Sequence, residues 1–178
     1  TCWSFKQKVQ QAMKSSLQSP LTGLVHTDEF VIGGPEEGKK GRSKGAKKLI
    51  ALAIEIVEDG VGRAYAEVIE NSSAKELGSF LRKYVSQDAE LISDKWKGYT
   101  PLINEFAKLK QVASNEGKNF KELHIHIMNI KGWLRGIHHH CSKDHMQDYL
   151  NEYHFRYNRR SNMETIFDVS IRKMVNFK

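Results

Sequence analysis

The sequence predicts a mixed α/β domain, antiparallel at its start and parallel at its finish, and three observations carry that prediction. Three strand-like segments precede the first strongly patterned helix. The second and third flank Asp59-Gly60, a pair suited to the tight turn of a hairpin. From there on, helical and strand-like segments alternate, which places strands in parallel.

Each element follows from a local pattern. In residues 3–15, Trp3, Phe5, Val9 and Met13 fall roughly on one helical face with Lys and Gln opposite, and Ser15, Ser16, Ser19 and Pro20 end the pattern. LVHTDEFVIGG alternates loosely and closes on Gly33 and Gly34. KLIALAIEIVE is a continuous apolar run, as expected of a strand buried on both faces, and RAYAEVIE completes the hairpin. Ser73-Ala-Lys-Glu76 reads as a capping box, followed by a buried stripe of Leu77, Phe80, Leu81, Tyr84 and Val85. AELIS (89–93) is a short fourth strand, 101–106 a short helix and LKQVAS a fifth strand. Helices are expected over 119–138, 142–158 and 163–175. The organisation expected is an N-terminal helix and linker (1–20), one catalytic domain (21–160) and a C-terminal helix packed on it (161–178).

Bulk properties narrow the function. The 178 residues, 39% of them apolar, suffice for one domain with a core. Runs such as LIALAI are too short to span a bilayer. Cys2 and Cys141 make no disulfide framework, which fits a reducing, cytoplasmic setting. The start is polar, unlike a signal peptide, and begins at Thr1 without Met, so a preceding domain is expected. A net charge of +7 points to a polyanionic partner, nucleic acid first.

Two aspartates stand out. Asp28 lies inside the first strand, a poor place for Asp, and Asp94 follows LIS at the carboxyl end of the fourth, where α/β sheets commonly place ligands. Either alone is more simply a turn residue. If strand four adds beside strand one after the opening meander, the two carboxylates share a hard cation such as Mg²⁺ or Mn²⁺.

Asp28 in TDEFVIGG, Asp94 in LISDKWKGY, and NIKGWLRGIHH followed by HMQDYLNEYHFRYNRR together resemble the DDE transposases of bacterial insertion sequences. The similar branch has a third motif reading Asn-x-Lys-x-Trp-Leu-Arg-Gly, and the resemblance runs from about residue 1 to about residue 165. It implies an RNase H-like, integrase-like fold: a five-stranded mixed sheet flanked by helices on both faces. It also implies a catalytic and metal-ligating set of Asp28, Asp94 and Asn129, with Asn standing where most DDE enzymes carry Glu. An amide oxygen ligates without charge and is no base near neutral pH, so Glu122, seven residues earlier, is the nearest substitute acid. Asn129 as a plain helix surface residue is the bland alternative.

The DNA-binding residues expected are Lys131 and Arg135 beside the third motif, and Lys95, Trp96 and Lys97 after Asp94, Trp96 stacking on an unpaired base. GKKGRSKGAKK adds Lys39, Lys40, Arg42, Lys44, Lys47 and Lys48, and the helix end adds His138 and His139. Zinc is disfavoured despite five of the eight histidines falling in 124–141: His138, His139, His140 and Cys141 fan around the helix axis, and no second cysteine pair is nearby. The function expected is a metal-dependent transposase that hydrolyses transposon-end phosphodiesters and joins the 3′-hydroxyl to target DNA. A homodimer or higher multimer at the bacterial nucleoid is expected. An RNase H-fold nuclease or resolvase without joining, and a decayed DNA-binding remnant, are the rival readings.

Overall fold

The computed structural model describes residues 2–15, 17–33, 47–138, 141 and 144–176. Helix α1 (Cys2–Ala12) leads into β1 (Leu24–Ile32), β2 (Lys48–Val57) and β3 (Gly60–Ile69). Helix α2 (Ala74–Tyr84), β4 (Glu90–Ser93), a 3₁₀ turn at Thr100–Asn104 and β5 (Leu109–Gln111) follow. The chain ends in α3 (Lys121–Ile137), α4 (Met146–Tyr157) and α5 (Ile166–Val175).

The sheet order is β3-β2-β1-β4-β5. Strand β2 is antiparallel to β1 and β3, while β1, β4 and β5 run parallel. This is the RNase H-like arrangement that the motif resemblance implies. Alternation splits β2 between two cores, which is why its sequence is continuously apolar. Ala51 and Ala53 face α2 with Leu77, Phe80, Leu81 and Leu91. Ile50, Leu52 and Ile54 face α3 and α4 with Leu123, Ile127, Ile130 and Leu150. Ser73 caps α2, its Oγ accepting from the Glu76 N–H at 3.5 Å, but Ser73 N–H donates to Asn71 rather than to Glu76.

Strand β3 is an edge, and α4 closes it. Asn158 donates to the Ala64 carbonyl and accepts from the Ala64 N–H, both at 2.9 Å. Gln147 does the same for the Ala66 carbonyl (3.2 Å) and the Val68 N–H (2.8 Å). These amides supply the bonds a further strand would make. Among the described residues no helix is long and apolar enough to cross a membrane.

Candidate active site

The pairing of β1 with β4 ends at Thr27 opposite Ser93, so Asp28 and Asp94 are the next residues on adjacent parallel strands. Neighbouring strands lie about 4.8 Å apart. His26, Asp28 and Phe30 share one face of β1, and Ile92 shares that face of β4, which by alternation includes Asp94. Asp28, midway along β1, and Asp94, just past the carboxyl end of β4, thus follow the point where the two strands stop pairing, and Asp28 faces α3.

Local bonds set both acids. Asp28 Oδ1 accepts from the Glu29 N–H at 2.7 Å. Asp94 Oδ1 accepts from the Trp96 N–H at 3.0 Å, an Asx turn. Gln111, at the end of β5, pins the loop from outside. Its amide nitrogen donates to the carbonyls of Asp94 (3.1 Å) and Trp96 (2.9 Å), and its oxygen accepts from the Thr100 hydroxyl. The Trp96 indole donates to the Ser72 carbonyl at 2.8 Å. Behind the sheet, buried Tyr99 donates to Glu29 at 3.2 Å. Burial first, then the charge of Glu29, raises the Tyr99 hydroxyl well above its usual range, with Asp28 and Asp94 adding to the effect.

Helix α3 supplies the wall. Leu123, Ile127, Ile130 and Leu134 bury against the sheet and fix its roll. That roll turns His124 toward Asp28, Nε2 to Oδ2 at 3.9 Å, with side chains 45% and 20% exposed. Gly117, at φ +86°, makes room for the ring, since a Cβ there would stand 2.7 Å from His124 Nδ1. Lys131, two turns on, lies over the Phe30 ring at 5.5 Å. His124, Met128, Lys131 and Arg135 follow one edge of the helix at i, i+4, i+7 and i+11.

Asn129 is not on that edge. It is exposed, about 140° around the helix from His124 and about 7.5 Å further along, and it lines an open groove with Lys118, Lys121, His124, Ile125 and Met128. The register sets Asp28 and Asp94 just beyond the last β1–β4 pair, His124 stands 3.9 Å from Asp28, and Asn129 lines the same groove as His124. Arg135, six residues after Asn129, lies about 120° from it around the helix and returns to the His124 edge. Glu122 is half-buried and sits near enough to His26 to oppose the burial that lowers that imidazole.

Two carboxylates suit a hard, oxygen-seeking cation completed by water and phosphate oxygens. Among the described residues no three or more His, Cys, Asp or Glu side chains are placed to hold an ion.

The remaining expected contacts divide. Lys95, Trp96, Lys97 and Arg135 are exposed around the two acids or along α3, and Lys47 and Lys48 are half-buried where β2 begins. Lys39, Lys40, Arg42, Lys44 and His139 lie outside the described residues. The His138 ring packs between Trp133 and Tyr149, at centroid distances of 5.0 and 4.3 Å. Burial, then Lys6, lowers its basicity, with Glu152 opposing. Sequence reasoning missed His124 and Gln111. The seven-residue step from His124 to Lys131 was a usable signal for a shared edge; nothing local marks Gln111.

A family model described as the ISXO2-like transposase domain matches residues 20–158. No curated protein matches the chain. Among solved structures, the Mos1 mariner paired-end complex with Mn is similar at 13% identity and a TM-score of 0.45, over 94% of this chain and 60% of that one. The Mos1 strand transfer complex is similar at 13% identity and a TM-score of 0.36, over 97% of this chain and 62% of that one. The chain therefore spans less than two thirds of those chains.

Proposed function

The chain belongs to the ISXO2-like transposase domain family, and from that premise we propose that it is the catalytic domain of a metal-dependent DNA transposase. The single observation that carries the reading is the pair of acids, Asp28 and Asp94, each the residue after the last pair between parallel strands β1 and β4. They hold Mg²⁺ or Mn²⁺, which when bound activates an attacking oxygen and stabilises a leaving one.

The chain's own groups do the rest. Asp28 and Asp94 would hold the cation, which would supply the Lewis acidity at the scissile phosphodiester. Lys131 and His124, along the neighbouring helix edge, hold non-bridging phosphate oxygens in line. Lys95 and Lys97 draw the backbone toward the acids, and Trp96 offers a partly exposed indole to an end base. Water attacks first, at the transposon end; the freed 3′-hydroxyl then attacks target DNA. Both are displacements at phosphorus, so one site serves both and no protein nucleophile is required. The protein works as a homodimer or higher multimer on paired ends.

Asp28→Asn and Asp94→Asn should abolish Mn²⁺-dependent nicking of a transposon-end duplex and weaken Mn²⁺ binding in calorimetry, while duplex binding persists. Asn129→Ala should retain Mn²⁺ binding. Full nicking by both Asp variants would sink the proposal. Nicking without joining of pre-cut ends would mark a nuclease, and binding with neither step a decayed element.

A further inference from the structure

A second positively charged site lies away from the acids. The joint between α1, β3, α4 and α5 encloses a cavity of about 190 Å³. Three cations line it: Arg63, Arg159 and Lys173. Arg63 is neutralised by Glu55 at 2.6 Å and also donates to the carbonyls of Ser19 and Pro20. Among the described residues the other two have no ion-pair partner. Arg159 donates to the Phe155 carbonyl at 3.1 Å and lies over the Phe155 ring at 4.0 Å. Lys173 donates to the Lys14 carbonyl at 2.6 Å and stands 5.5 Å from the same ring. No carboxylate lines the cavity among the described residues.

Two half-buried cations sharing one aromatic ring repel each other and lose hydration. Burial, and for Lys173 then the charge of Arg159, lowers the proton affinity of both. A guanidinium has five N–H donors and an ammonium three, so each keeps donors beyond its one carbonyl bond. Asn151 also faces the cavity, its Oδ1 taken by Gln147 at 3.0 Å. We propose that this cavity is a phosphate-type oxyanion site, in which Arg159 and Lys173 clamp the anion. The occupant is either a backbone phosphate of bound DNA or free phosphate; the chemistry of recognition is the same.

The test uses the full chain and inorganic phosphate. Phosphate should raise the unfolding temperature saturably relative to chloride at matched ionic strength and pH. Lys173→Gln should weaken that affinity at least tenfold, while Lys75→Gln on exposed α2 should not. Asn151→Asp is the second arm: a carboxylate built into the cavity supplies the missing charge. That variant should be more stable than the parent without phosphate and insensitive to phosphate. For DNA, the slope of log K against log salt should fall by about 1 in Lys173→Gln if a backbone phosphate is the occupant. An unchanged slope with phosphate binding intact assigns free phosphate. No saturable phosphate effect, or an undiminished one in both Lys173→Gln and Asn151→Asp, overturns the site.

Discussion

Gln111→Glu is an isosteric change with a large expected effect. The amide nitrogen of Gln111 donates to the carbonyls of Asp94 and Trp96 at 3.1 and 2.9 Å. Each such bond is worth about 1 kcal/mol net, so losing both costs about 2 kcal/mol. An ionised carboxylate would also aim an acceptor at two carbonyl oxygens, adding a further ~1–2 kcal/mol of unmet desolvation. The expected deficit at neutral pH is therefore about 3–4 kcal/mol, against about 1–2 kcal/mol for Gln111→Ala, where water can reach the carbonyls. Protonation restores a donor, so folding should raise the new carboxyl's pKa above its unfolded value of about 4.3. The sign follows: the extra deficit is absent below that value, grows as pH rises, and is complete above the folded pKa. Urea unfolding at pH 7.5 and pH 5, followed by tryptophan fluorescence, measures it. A variant as stable as the parent at pH 7.5, or a deficit independent of pH, refutes the role given to Gln111 in fixing the Asp94 loop.

Gly98→Ala should cost more than ~2 kcal/mol, because its Cβ would meet the Ser72 carbonyl oxygen, Trp96 Nε1 and Leu77 Cδ1 at 2.4, 2.8 and 2.9 Å; a lower urea midpoint together with lost nicking is the expected readout. Arg63→Met strands Glu55, which is 8% exposed, and should lower stability by about 2–4 kcal/mol in calorimetry. The buried His126–His154 pair, Nε2 to Nε2 at 3.3 Å, is neutral: burial lowers His126 to about 3 and His154 to about 4. Its stability is present above the unfolded value of about 6.5 and is lost as pH falls below it, by up to ~1.4 kcal/mol per pH unit per histidine. His126→Gln should flatten the fall in urea midpoint between pH 7 and pH 5, and an unchanged slope would count against the pair as its source.

The fold was legible where a period repeats over many residues. The split alternation of β2, the Asp59-Gly60 turn and the stripe of α2 each placed an element to within a few residues. The adjacency of β1 and β4 was inferable from Asp28 and Asp94 and the short, parallel fourth strand. What resisted reading was the roll of α3. A helix with apolar residues at 123, 125, 127, 128, 130 and 134 offers more than one stripe to bury. The structure selects Leu123, Ile127, Ile130 and Leu134, leaving Ile125 and Met128 exposed. That choice decides which polar residues meet the acids. The motif resemblance named Asn129; the packed stripe adds His124, turned toward Asp28, and Lys131, set over Phe30.

The side-chain amides that cover β3 also limit how copies of this chain can associate. With Asn158 and Gln147 occupying both outward groups of Ala64, the Ala66 C=O and the Val68 N–H, that stretch of the margin is a poor template on which another polypeptide could lie down in register. Growth by sheet extension is hindered on this side, which leaves the short β5 (Leu109–Gln111) as the other margin of the sheet; copies assembling as proposed would meet there or through helices and loops.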